Sequence, residues 1–415
     1  MKTLLKLFCA NVWCVAISVL PLGTAVAQST TVDDQPRYWK GNLHTHSLWS
    51  DGDQFPEMIA DWYRERGYNF LALTDHNVIS EGHRWMSLKK IVDRSDDGIV
   101  ERYVQRFGEH WVEQRTSPDN GEAEVRLKPL NEFRALLESR NEFIMIQAEE
   151  ISDRSEGKPV HINATNVAEA LQPVGGATVR EAMQNNLRMI LEHEKSHGRP
   201  VLPHVNHPNF GYAMTAEDLA AVVAEQFFEV YNGHPGVNHL GDDEHPSIEL
   251  MWDQINAIRY AAGVQPILGI ATDDSHEYHG RPGSRPGRGW VMVKSRFLTP
   301  EHLIHAMRKA DFYASSGVSL LRHDFDEESR TLTVEVDAVE GEDYQIDFFT
   351  TLKPGTDPHK IGLTVHSAKG NSASYQMKEA ECYVRAVVTS TVAHSDPSFK
   401  DQKKQAWTQP VGWAK

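Results

Sequence analysis

Seven short apolar runs, most of them ending in residues able to bind a metal ion, constrain this chain more than any other feature. They are Gly41-Asn42-Leu43-His44-Thr45-His46, Phe70-Leu71-Ala72-Leu73-Thr74-Asp75-His76, Phe143 to Glu150, Val160 to Thr165, Val201 to His207, Phe227 to Asn232 and Ile267 to Asp274. Each has the length of a strand buried on both faces. Helix-like segments separate most of them, namely Pro56 to Gly67, Thr178 to His197, Ala216 to Ala224 and Ser247 to Ala262. Strands alternating with helices predict a parallel sheet or barrel, and polar residues at the strand ends predict a site at its C-terminal rim.

Two regions depart from the alternation. Residues 81–140 are charged and largely helix-like, with a turn-rich Ser117-Pro118-Asp119-Asn120-Gly121, and read as a helical insertion over the rim. Beyond about Val318 the pattern becomes that of alternating strands, in Thr331 to Val336, Tyr344 to Phe349 and Cys382 to Val388. Residues 318–415 therefore read as a small antiparallel β-domain following a main domain over 40–317.

The N-terminus carries Lys2 and Lys6, an apolar stretch from Leu7 to Leu22, and the small-x-small Ala25-Val26-Ala27. This predicts a signal peptide over residues 1–27 and a periplasmic or secreted chain without a membrane anchor after cleavage. Asn11, Pro21 and Gly23 break the stretch, which argues against a membrane span. Cys9 and Cys14 would leave with the signal, so Cys382 has no intramolecular partner and stability must come from a core. The net charge of −16, or −18 once Lys2 and Lys6 are subtracted, argues against nucleic acid as a partner. A small anionic substrate stays compatible, because bound metals reverse the local sign.

The 21 histidines hold the chemistry. His44 and His46 are two apart on a strand and share a face, as do Asp274 and His276, while Asp51 sits in a loop able to fold back. Imidazole and carboxylate together suit zinc, manganese or iron. One buried histidine is usually structural, but a succession of His, His, Asp, His, Glu, His, His, Asp and His at or near strand ends goes well beyond that.

In order, His44-Thr45-His46, Ser50-Asp51-Gly52, Thr74-Asp75-His76-Asn77, Glu150-Ile151-Ser152, His207-Pro208 and Asp274-Ser275-His276 resemble the motifs of the PHP (polymerase and histidinol phosphatase) family over roughly residues 40–317. The resemblance implies a distorted (β/α)7 barrel, a di- or trinuclear site of divalent ions, and hydrolysis of phosphoesters by metal-activated hydroxide. Arg288-Gly289-Trp290-Val291, Leu298-Thr299-Pro300-Glu301 and Tyr313-Ala314-Ser315-Ser316-Gly317 resemble its carbaryl-hydrolase branch, whose members can cleave carbamate or amide bonds. Carried over, His44, His46, Glu150 and Asp274 would hold one ion. Asp51, His76 and His276 would hold a second, and His161 and His207 with a shared Glu150 a third. Asp274 could also accept the proton of the attacking water.

Alternatives stay open at several positions. Glu149 competes with Glu150, Asp273 with Asp274, and His204 with His207; His161 sits near a strand start. Arg288, in a Gly/Pro-rich loop with Arg281 and Arg285, is expected either to clamp a substrate oxygen or to belong to a solvated basic loop. His193-Glu194-Lys195-Ser196-His197 is a literal zinc-protease motif, but Gly198-Arg199-Pro200 ends the helix at once. His234, His239 and His245 lie in a turn-rich stretch, and Trp49 and Trp85 suit either a pocket or the core. The expected function is a phosphoesterase acting on a small molecule. The alternatives are a carbamate, amide or carboxyl ester hydrolase on the same ions, and a non-catalytic metal-containing binding protein.

Overall fold

A computed structural model describes residues 35–354 and 360–413; the segment read as a signal peptide lies outside them. From Pro36 onward the chain forms one compact unit. Its first elements are β1 (Arg37–Asn42), α1 (Pro56–Glu65), β2 (Phe70–Leu73), β3 (Arg84–Ser87), α2 (Leu88–Arg94), α3 (Ile99–Phe107), β4 (Gln114–Thr116), β5 (Ala123–Leu127) and α4 (Leu130–Leu137). There follow β6 (Ile144–Ser155), β7 (Lys158–Thr165), α5 (Val179–His197), β8 (Leu202–Val205), α6 (Ala216–Ala221), β9 (Phe227–Asn232), α7 (Ile248–Ala261) and β10 (Leu268–Thr272). The last are β11 (Trp290–Ser295), α8 (Pro300–Arg308), β12 (Phe312–Ser315), β13 (Leu320–Asp326), β14 (Thr331–Val336), β15 (Tyr344–Leu352), β16 (Leu363–Lys369), β17 (Ser372–Gln376), β18 (Glu381–Ala393) and β19 (Lys403–Thr408). Among the described residues no helix is long and apolar enough to cross a membrane.

From α5 onward the helices start where the sequence supplies a cap. Thr178, Ser247 and Thr299 each accept a backbone N–H of the first turn with their side chains, and Pro300 fits the first turn of α8. Gly198 closes α5 in the left-handed conformation, so the zinc-protease-like stretch is the last turn of a helix that buries Val179, Met183, Leu187 and Ile190. β2, β8, β9 and β10 are buried along their whole length, as their unbroken apolar runs require.

The main sheet has thirteen strands in the order β10-β9-β8-β7-β6-β2-β1-β11-β12-β19-β18-β15-β16, a mixed α/β arrangement. All seven apolar runs form strands in it, but the parallel order expected of them fails at β7, and the sheet continues past β1 through an antiparallel strand outside the seven. β7 is antiparallel to both β6 and β8, and β11 is antiparallel to β1. The cause at β7 is a two-residue turn in which Glu156 and Gly157 both take positive φ, 53° and 75°, so the chain doubles back without a helix. At the other margin Thr45 and Ser275 form a parallel bridge that brings the segments after β1 and β10 together.

Residues 81–140 are less helical than their composition suggests, since β3, β5 and β4 form an antiparallel sheet of their own beside α2, α3 and α4. The C-terminal strands are antiparallel throughout. β13, β14 and β17 make a separate sheet, whereas β19, β18, β15 and β16 extend the main one from β12.

Candidate metal centre

His44 and His46 follow β1, Asp51 lies on the next loop, His76 follows β2, His207 follows β8, and Asp274 and His276 follow β10. Glu150 lies within β6, because the β6–β7 hairpin runs past the rim. His161 lies in the first half of β7, opposite Ser152, and the antiparallel pairing of β7 with β6 brings its ring diagonally onto Glu150. The nine residues singled out in the sequence thus come together.

His44 Nε2 lies 3.1 Å from Asp274 Oδ1 and 3.5 Å from Glu150 Oε1; His46 Nε2 lies 3.2 Å from Asp274 Oδ1 and 3.5 Å from Glu150 Oε2. Asp51 reaches His276 Nε2 at 3.4 Å and His76 Nε2 at 3.3 Å, and His46, His76 and His276 complete a four-residue group around it. His76, Glu150 and His161 make a third group, with His161 Nδ1 2.9 Å from Glu150 Oε1. His207 Nε2 stands 3.6 Å from Glu150 and 4.0 Å from Asp274. Asp274 and His207 hold positive φ, 49° and 23°, conformations that non-glycine residues rarely adopt and that cluster at functional sites.

The residues fit divalent cations on a specific observation. His44 Nδ1 lies 2.7 Å from Glu229 Oε1; an ionised carboxylate can only accept, so Nδ1 keeps a proton, and in the neutral ring the lone pair is on Nε2. That lone pair is buried, has no hydrogen-bond partner among the described residues, and faces the oxygens of Asp274 and Glu150. His46 Nε2 and Glu150 Oε2 are likewise buried and unpartnered. Lone pairs converging on one point out of water repel one another unless a cation lies between them.

Glu229 is a residue that the strand-end pattern does not pick out. It is fully buried in β9 and also accepts from the His207 backbone N–H, Asn232 Nδ2 and Thr272 Oγ1. His204 Nε2 lies 3.4 Å away, which makes a further inner group of His44, His204 and Glu229 behind the cluster. Asn206 and Asn232 donate to Glu150 Oε1 and Asp274 Oδ2, fixing both carboxylates. The signal available in the sequence was the glutamate inside Phe227-Phe228-Glu229-Val230, since a charge in a fully buried strand requires partners.

Two open choices acquire a physical basis. Glu149 points to the other face of β6, where it accepts from the Leu171 N–H at 2.6 Å and burial raises its carboxyl to about 8. Asp273 is occupied by the backbone N–H groups of Gly287, Arg288 and Gly289 and by Tyr63 Oη. Neither carboxylate belongs to the groups above.

Arg288 has a different occupation from the two expected of it. It is buried, with Nη1 donating to the carbonyls of Gly233 and Gly283 and Nη2 to Asp396. Both terminal nitrogens are committed inside the chain, so Arg288 is neither a clamp nor part of a solvated loop; it pins the loop after β10. Arg285 also reaches Asp396, and Arg281 donates to the Arg94 and Ser95 carbonyls. In the helix-end motif, His193 Nε2 accepts the Ala168 N–H and Glu194 binds Arg308 and the Val201 N–H, so that glutamate is not available as a base. Trp49 is core, donating to the Lys128 carbonyl, and Trp85 stacks under Arg115. His239 is buried against the Asn232 carbonyl, and His245 stacks on Tyr212.

Burial opposes charge throughout the cluster, and the neighbours decide the outcome. Asp274, Glu229 and Glu150 raise His44 well above the usual histidine range. Glu150 and Asp51 raise His76 to about 11, and Asp51 and Asp274 raise His276 to about 9. Burial with His276 beside it holds His46 down at about 3, the neutral form a ligand needs. Asp51, Glu150 and Asp274 lie far below the usual carboxylate range because histidines surround them. Without ions, protons supply part of the positive charge that three carboxylates demand.

No family profile and no curated protein matches this chain. Among solved structures it is similar to a two-domain protein of Bacteroides vulgatus containing a predicted PHP-like metal-dependent phosphoesterase, at 14% identity and a TM-score of 0.38, over 91% of this chain and 97% of that one. It is similar to a protein of Bifidobacterium adolescentis provisionally assigned as a metal-dependent phosphoesterase, at 12% identity and a TM-score of 0.31, over 61% and 92% of the two chains. It is also similar to an amidohydrolase of Chromobacterium violaceum solved with sulfate and no metal, at 13% identity and a TM-score of 0.29, over 66% and 96%.

Proposed function

We propose that this chain is a metal-dependent phosphoesterase of the PHP family, with two or three zinc, manganese or iron ions held by His44, His46, Asp51, His76, Glu150, His161, His207, Asp274 and His276. The buried, unpartnered Nε2 of His44, with its other nitrogen committed to Glu229, is the observation that carries this reading. When bound, the ions supply an activated hydroxide and positive charge for the scissile group. Around them Glu229, Asn206 and Asn232 keep the carboxylates and His44 oriented, and Asp274 is the carboxylate that would accept the proton of the attacking water.

A phosphoester is favoured over a neutral ester by Arg84. It is exposed, stands 5.3 Å over the Trp49 ring, and makes no ion pair among the described residues. Arg94 of the same insertion donates to the Ser50 carbonyl, next to Asp51. An uncommitted guanidinium near the Asp51 loop suits the non-bridging oxygens of a phosphoryl group. Export belongs to the same reading, on the strength of the N-terminal sequence, and predicts a mature protein beginning near Gln28.

Elemental analysis and a screen of phosphomono-, phosphodi-, carboxyl and carbamate esters test the proposal, with terminal mapping of the expressed protein for the export. Two to three metal equivalents, phosphoester turnover, and loss of both in His44→Ala and Asp274→Asn are expected. Less than one equivalent after reconstitution would remove the metal centre. Turnover of carbamates alone would move the chain to that chemistry, and full loading without any turnover would make it a binding protein.

A further inference from the structure

Beside the metal cluster lies a smaller grouping that the chemistry above leaves unused. The ring of His234, two residues past β9, is centred 6.0 Å from that of His276 and 5.5 Å from that of Phe210. Phe210 is in turn 5.3 Å from the His207 ring and is 36% exposed, although it is a large apolar side chain. The His234 Nδ1 accepts the Gly236 N–H at 2.9 Å. A backbone N–H can only donate, so Nδ1 holds a lone pair and the neutral ring carries its proton on Nε2. That N–H has no acceptor among the described residues. Gly236 permits the arrangement, because a Cβ there would stand 2.9 Å from both Phe210 Cε2 and His234 Cε1.

We propose that Phe210 and His234 form the leaving-group wall of the site, selecting esters whose departing group is flat and aromatic. This rests on the hydrolase reading above and names the substrate class for it. Phe210 covers the apolar body of the group, and His234 Nε2–H donates to its ester oxygen. A hydroxide oxygen bonds to phosphorus while the P–O bond to the aryl group breaks. The bonding pair stays on the aryl oxygen, which leaves as a phenolate and takes its proton from water; His234 changes neither charge nor protonation. Its hydrogen bond therefore matters most where the departing oxygen carries most charge, in poor leaving groups.

The metal-loaded protein is tested with phenyl and 2,4-dinitrophenyl phosphates, and with the same two groups as acetates. His234→Ala should lower kcat for the phenyl ester about ten- to a hundredfold, the value of one hydrogen-bond donor, and change the dinitrophenyl ester little. His234→Asn, which keeps an N–H, should recover part of that selectivity. Equal losses on both esters, or none, would overturn the role of His234. Phe210→Ala is read by calorimetric binding of phenylphosphonate and methylphosphonate, which needs no turnover. About a tenfold weaker phenylphosphonate with unchanged methylphosphonate is expected, and parallel or absent changes would overturn the wall. Turnover of acetates without phosphates would sink the phosphoester reading alone, since the leaving-group selectivity is then read on the acetates.

Discussion

Glu229 decides how firmly His44 offers its lone pair. Its carboxylate fixes the imidazole tautomer and receives a second contact from the His207 backbone, so one side chain steadies two of the nine residues. Glu229→Gln keeps the volume but lets the amide donate as well as accept, and His44 loses its enforced tautomer. Metal affinity should fall about ten- to a hundredfold in a chelator competition, with the thermal transition of the metal-free protein little changed. An unchanged affinity would mean that the orientation of His44 is set elsewhere. The nine cluster residues were legible in the sequence because histidines and carboxylates gathered at strand ends add nothing to an apolar core and must meet a partner there. Glu229 was not, since it stands inside an apolar run, and Arg288 misled because a guanidinium in a glycine-rich loop looks the same whether it meets a ligand or its own carbonyls.

At the scale of elements, the existence of strands was easier to read than their direction. Length and apolar content marked all seven, but direction depends on what joins them, and the Glu156-Gly157 turn is too short to stand out in a charged stretch. The reversal of β7 explains why His161, near a strand start, still reaches Glu150. Gly157 holds φ 75° at that turn, and an alanine there should destabilise the hairpin by about 1–2 kcal/mol. In Gly157→Ala the ion nearest His161 should be the first lost on dialysis, while the group around Asp51 keeps its own. Simultaneous loss of all ions would show that the groups are not separable. The small sheet of the insertion was missed for a related reason: β4 and β3 are three and four residues long, and their charged side chains carry no alternation strong enough to read.

Across the whole molecule, the C-terminal strands and the α/β part are joined by more than a chain connection. Asp253 of α7 receives Arg385 Nε and Nη2 of β18 at 2.9 and 2.6 Å, and Tyr383 Oη at 2.7 Å, all buried. Removing one partner of such a buried pair leaves the other charge unmet, so Asp253→Ala should cost about 3–5 kcal/mol and lower the thermal midpoint of the whole unit. A transition that splits in two would instead show that the parts fold independently.

β19, the last strand described, pairs with β12 on one side and β18 on the other, and so fills an interior place in the main sheet. During synthesis every other described strand leaves the ribosome before it. Without residues 403–408 in place, β12 and β18 would each keep one row of backbone groups unmet, and such edges recruit strands from neighbouring chains.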